Sequence, residues 1–250
     1  MDLPPTVPVP EPRPDIGSQS EDGGKPREQS ETRTDPKPDP QLDTDTDAKT
    51  ENQPPETATP PIEPEDQDIL AACLSELTTI GAEYRPLARI DDGNGCGIDR
   101  PIELRSLGNG VALTPPGILR CRTAVNLARW TRDVVSPMLA KAQPAERLAE
   151  VNQASAYICR KRNNAETGKI SEHARGTAID IAGFTFRSGR ILTIAPRQKE
   201  PTLNGAFQRA IASAACLYFS TVLDPGSDAA HETHLHLDTL ERKGGYRYCW

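Results

Sequence analysis

Two hydrophobic rhythms alternate along the chain from Asp68 onward. Where apolar residues return every three or four positions they predict helices with one buried stripe, and the first such run spans Asp68 to Ile80. A longer one runs from Ile118 to Ala142, with Cys121, Val125, Ala128, Val135 and Met138 in the stripe. A third runs from Phe207 to Leu223, with Ile211, Ala214, Ala215 and Tyr218 on a face. These stripes are core, not cofactor contacts. Between the helices the period drops to two. Ile102 to Leu107 and Gly110 to Leu113 read as a hairpin, Ala178 to Phe184 as a strand, and His234-Leu235-His236-Leu237-Asp238 as a strand with one buried face. Helices interleaved with short strands predict an α+β domain, helices packed on a small antiparallel sheet.

Before Asp68 neither rhythm is present. Residues 1–66 hold no aromatic, 15 of the 24 prolines, and 17 acidic against 6 basic residues. Such a segment buries too little apolar surface to offset its ordering entropy, so it is expected to be a disordered, Pro-rich, acidic tether. Residues 67–250 are ample for one core and carry 19 acidic against 23 basic residues. The overall charge of −7 therefore hides a mildly basic folded part, which suits an anionic polymer; no nucleic-acid partner is expected.

The candidate chemistry is concentrated. All four histidines lie in two stretches, Ser171-Glu172-His173-Ala174-Arg175-Gly176-Thr177-Ala178-Ile179-Asp180 and His231-Glu232-Thr233-His234-Leu235-His236-Leu237-Asp238. Imidazole and carboxylate together are a zinc donor set, and a catalytic zinc keeps three protein ligands and leaves the fourth position open. His173 falls in a loop ahead of the first strand, Asp180 points from its start, and period two puts His234, His236 and Asp238 on one side of the second. Pairing the two strands would gather these groups at one point, giving His173, Asp180 and one of the later histidines as the ligand set. Gly176 and Ala178 are small where a bulky side chain would crowd the metal, and Gly176 can take the positive φ a tight loop needs. Ser171 is expected to shape the histidine loop by hydrogen bonding, and Asp238 to orient a ligand histidine or to serve the structure alone.

The pattern Ser-x-His-x-x-x-Gly-x-Ala-x-Asp followed by His-x-His resembles the zinc peptidases grouped as lysostaphin, D-Ala-D-Ala metallopeptidase and hedgehog-like folds. With Tyr157-Ile158-Cys159-Arg160 and Val222-Leu223-Asp224-Pro225-Gly226, the run from about Cys73 to Cys249 is similar to the bacterial extensin-like C-terminal domain. The resemblance implies that His173, Asp180 and His236 hold zinc, with His234 beside the metal water. Thr233 stands where some D-Ala-D-Ala peptidases carry a glutamate base, whereas His231, His234 and His236 match the His-x-x-His-x-His of penicillin-insensitive murein endopeptidases. His234 is then the favoured base and His231 the second candidate; Glu232 alternates away from the metal face. Arg160, after a tyrosine as in the related peptidases, is the candidate for oxyanion stabilisation, with Arg162 its rival. The implied activity is hydrolysis of peptide bonds in peptidoglycan stem peptides or cross-links by attack of a zinc-bound water. The alternative is a non-catalytic zinc-binding cell-wall or protein-interaction module of the same fold.

Six cysteines, Cys73, Cys96, Cys121, Cys159, Cys216 and Cys249, all lie in the folded part. Their number is even, none forms Cys-x-x-Cys, and all stand apart from the histidines, so disulfides are expected, with the pairing left open. Disulfides imply an oxidising compartment, most naturally the periplasm or cell envelope. The sequence opens Met1-Asp2-Leu3-Pro4-Pro5 without an export segment, and no stretch is long enough to span a membrane, so export implies a start upstream or a trimmed signal.

Overall fold

The computed structural model describes residues 61–250, the Asn164 side chain excepted. Most of the expected tether, residues 1–60, lies outside the described residues. Helix α1 (Gln67–Ile80) begins where the Asp66 carboxylate accepts from the N–H groups of Asp68 and Ile69, and ends at Gly81, whose φ of 80° lets its N–H reach Leu77 O and Thr78 O. Then come β1 (Glu83–Pro86), the small hairpin of β2 (Ile90–Gly93) and β3 (Cys96–Ile98), and the larger hairpin of β4 (Ile102–Ser106) and β5 (Ala112–Leu119).

Helix α2 (Cys121–Trp130) passes through a π-helical turn, Thr131–Val135, into α3 (Ser136–Ala142). The expected long helix is therefore present, but it starts three residues late. Ile118 and Leu119 are apolar because they close β5, with Leu119 opposite Ile102 of β4, and Arg120 is still extended. Strands β6 (Leu148–Ser155), β7 (Ala178–Phe186) and β8 (Ile191–Thr193) precede helix α4 (Leu203–Ala215), and β9 (Thr221–Leu223), β10 (Leu235–Asp238) and β11 (Tyr248–Cys249) follow it. The helix expected over Phe207–Leu223 is thus displaced. It starts earlier because Thr202 caps Gly205 N–H, and its expected last turn is strand β9.

The sheet is large and mixed, not small and antiparallel. Nine strands pair in the order β1-β4-β5-β6-β7-β10-β9-β11, with β8 also on β7. β5 and β6 run parallel because a helical crossover joins them, and β11 lies parallel to β9. One apolar cluster joins the helices to the sheet: Trp130, Phe184, Phe207, Ile211, Ile179, Ile181, Leu235 and Leu237 all belong to it. Phe184 meets Phe207 edge-on with ring centroids 5.8 Å apart, and the Trp130 indole donates to Ile211 O at 3.0 Å.

Three disulfides staple the domain. Cys73–Cys121 joins α1 to α2, Cys96–Cys159 joins β3 to the segment after β6, and Cys216–Cys249 joins the end of α4 to β11. They point to an oxidising compartment, extracellular or periplasmic. No helix among the described residues is long and apolar enough to cross a membrane.

Candidate metal centre

The centre is built on the pairing of β7 with β10, in a register that sets His236 opposite Asp180. Period two sends Ile179, Ile181, Leu235 and Leu237 into the core, all fully buried, so Asp180, His236 and Asp238 project from the other face. The third group arrives on a short turn, Glu172–Arg175, that Ser171 starts by accepting from His173 N–H at 3.4 Å. Gly176 closes the turn at φ 67°, in the left-handed region open to glycine. A Cβ there would strike the Ile98 side chain and crowd Arg120 N. The small residue is therefore required by packing behind the turn, against β3, and not by the metal side of it.

His173 Nδ1–H donates to Ala156 O at 2.8 Å, because a carbonyl can only accept. Its Nε2 then faces the centre, 3.2 Å from Asp180 Oδ2 and 3.2 Å from His236 Nδ1. His236 Nδ1 stands 2.9 Å from Asp180 Oδ1, and on the far edge of its ring Nε2 lies 3.3 Å from Asp238 Oδ2. His173, Asp180 and His236 form a group whose ligand atoms all lie within 4.8 Å of one another. A tetrahedral zinc with bonds of about 2.0–2.1 Å separates its ligand atoms by about 3.3–3.4 Å, so the donor set fits that ion with small adjustments.

Electrostatics reflect the same crowding. Burial works to raise the Asp180 carboxyl, but hydrogen bonds from His173 and His236 outweigh it and hold the group well below the usual carboxylate range. For His236 burial disfavours the cation, yet Asp180 and Asp238 overcome it and push the imidazole up to about 9. His234 moves the other way: burial lowers it, Asp180 opposes, and the neighbouring imidazoles reinforce the lowering.

The remaining sequence candidates divide clearly. His234 joins the group, its Nε2 3.6 Å from Asp180 Oδ1. His231 stands behind it with ring centroids 5.2 Å apart, and its Nδ1 is 2.7 Å from Asp228 Oδ1. Arg160 reaches the centre at 4.0 Å from Asp180 Oδ2. Arg162 instead pairs with buried Glu172 at 3.0 Å, and Glu232 is exposed on the surface. Sequence reasoning missed Ala156 O, Asp228 and Glu172. Only Asp228 carried a signal, an Asp three residues before a histidine, the spacing of a capped turn. All four histidines, Arg160, Arg162, Asp238, Thr221, Leu223, Arg242 and Tyr248 line one cavity of about 360 Å³.

A family model, described as Extensin-like protein C-terminus, matches residues 71–250. No curated protein and no solved structure matches the chain.

Proposed function

The chain belongs to the extensin-like protein C-terminus family, and we propose that it is a zinc-dependent peptidase hydrolysing peptide bonds in peptidoglycan stem peptides or cross-links. One observation carries the metal. With its Nδ1–H given to Ala156 O, His173 turns Nε2 to the same point as Asp180 Oδ2 and His236 Nδ1, each 3.2 Å away. Two imidazole nitrogens and a buried carboxylate oxygen converging on one point make the donor set of a zinc site. Zinc held by His173, Asp180 and His236 would supply Lewis acidity and an activated water at neutral pH.

The chain's own groups do the rest. Ala156 O and Asp238 fix the two imidazoles so that Nε2 of His173 and Nδ1 of His236 turn inward. His234 stands on the open side of the set, placed to take a proton from water and return it to a leaving amine. Asp228 orients His231 behind it. Arg160, whose nearest carboxylate among the described residues is Asp180 at 4.0 Å, is placed to receive developing negative charge on a scissile carbonyl. The wall polymer as substrate is supported by the His-x-x-His-x-His pattern and by the disulfides, which suit the compartment where that polymer lies.

The proximity of His234 Nε2 to Asp180, 3.6 Å, favours a second reading. If His234 closed the coordination as a fourth ligand, the centre would be a structural zinc site in a non-catalytic wall or protein-interaction module. Digestion of purified sacculi by the zinc-loaded protein, with released muropeptides identified by mass spectrometry, decides between them. New peptide termini absent with His173→Ala support the peptidase; an unchanged muropeptide profile with stoichiometric zinc supports the binding module.

A further inference from the structure

The cleft face of the sheet does not stop at the histidines. Strand β11 extends it beyond β9, with Tyr248 opposite Thr221 and Cys249 opposite Val222. Paired residues of neighbouring strands share a face. Thr221 lines the cavity and Val222 is in the core, so Tyr248 faces the cleft and Cys249 the helices. Two ties hold that orientation. Cys249 is bonded to Cys216 at the end of α4, and Arg247 donates to Cys216 O and Phe219 O at 2.7 and 2.9 Å. Trp250 N–H is anchored to Val222 O at 2.9 Å, so alternation carries Trp250 to the side of Tyr248, and Tyr246 lies just ahead of the strand.

These three rings are 62, 41 and 61 % exposed, whereas Trp130 is fully buried. Successive positions on one strand face are about 6.8 Å apart, so Trp250 stands about one such step beyond Tyr248, the ring that lines the cavity. We propose that Tyr248 and Trp250, with Tyr246 beside them, are a sugar-binding platform that seats the glycan strand of the substrate next to the metal centre. The identity of that polymer rests on the peptidase reading above. A pyranose ring presents a face of C–H bonds to the electron-rich face of an aromatic ring, and the phenol and indole edges add hydrogen bonds to hydroxyl and N-acetyl groups. Charge agrees with this occupant. Tyr248 enters the cavity opposite Thr221, whose hydroxyl accepts from Arg242, and Arg160 lines the same cavity, as a glycan carrying carboxylate-bearing peptides requires.

The test uses a peptide-free probe, the β-1,4-linked hexamer of N-acetylglucosamine, so that binding does not depend on peptidase action. The full chain should bind it saturably by calorimetry, with a shift of tryptophan emission that Trp250→Ala abolishes. Tyr248→Ala and Trp250→Ala should each weaken binding about tenfold or more with zinc content and melting temperature retained. His173→Ala should bind the hexamer as the native chain does. No saturable binding, or an affinity equal to the native chain's in both aromatic variants, overturns the platform. So does concentration-dependent dimerisation that Trp250→Ala removes while the hexamer fails to bind. Hexamer binding without any sacculus hydrolysis keeps the platform and sinks the peptidase reading.

Discussion

His236 Nε2 lies 3.3 Å from Asp238 Oδ2, two residues further along the same strand. Asp238 is buried and also accepts from Leu240 N–H at 3.0 Å, so its carboxylate cannot swing away freely. When the imidazole is neutral, the carboxylate keeps the ring proton on Nε2 and turns the Nδ1 lone pair toward Asp180 and His173. Asp238→Asn keeps the shape and weakens that selection. Zinc affinity, measured by competition with a chromogenic chelator, should fall by about 10–100-fold with the melting temperature of the metal-free protein little changed. An unaltered affinity would reduce Asp238 to a structural role.

His234 separates catalysis from ligation. It touches Asp180 at 3.6 Å but stands outside the tight group of His173, Asp180 and His236. If it handles the proton, His234→Ala should retain zinc by elemental analysis and lose turnover by about 10²–10⁴-fold. Loss of zinc in step with activity would make it the fourth ligand and favour the binding module.

The disulfides link elements that the sheet alone does not hold together. Cys96–Cys159 spans 63 residues and ties the β2–β3 hairpin to the segment one residue before Arg160. Closing a loop of that length is worth about 4 kcal/mol in the chain-entropy account. The double variant Cys96→Ala, Cys159→Ala should therefore melt at markedly lower temperature. Its activity should fall more than its zinc content, because Arg160 loses its anchor while His173 keeps Ala156 O. Thiol titration of the native protein should find no free cysteine; six would remove both the staples and the oxidising compartment.

The site was more legible in the sequence than the sheet that carries it. Asp180 and His236 stand on strands whose buried partners, Ile179, Ile181, Leu235 and Leu237, mark the other face by period two. Their pairing needed only one register. Placing His173 needed Gly176 and the spacing to Asp180. The sheet is larger than the sequence suggests because several of its strands are short or lack alternation: β6 reads Leu-Ala-Glu-Val-Asn-Gln-Ala-Ser, and β9 and β11 hold three and two residues. Leu217, Tyr218 and Phe219 continue the apolar run of α4 with no glycine or proline to stop it, so the strand after them read as helix. Ala156 O was invisible for a different reason. A backbone carbonyl carries no sequence signal, and only the fold brings it to His173.

The segment just before α1 is tied to the ligand turn, and that changes where the chain tolerates a cut. Two guanidiniums make the link: Arg120 donates through Nε to Arg175 O at 3.0 Å and through Nη2 to Glu63 O at 3.1 Å and pairs with Glu65 at 3.6 Å, and Arg175 itself pairs with Glu63 at 3.5 Å. Glu65 N–H is held by Asp99 Oδ2 at 3.1 Å, and the Ile62 side chain covers Gly97. Arg175 O belongs to the same turn as His173, so these contacts brace the metal ligand from behind. A boundary at residue 66 cuts through them, whereas one at residue 61 spares them. A chain starting at residue 61 should keep the zinc affinity, melting temperature and turnover on soluble muropeptides of the full chain. A chain starting at residue 67 should lose about 1–3 kcal/mol of stability, the scale of one or two charge-assisted hydrogen bonds, and melt a few degrees lower. Its zinc affinity should fall as well, since the turn bearing His173 is no longer clamped. Identical melting and zinc binding in the two truncations would show that Arg120 holds the turn without help from Glu63 and Glu65.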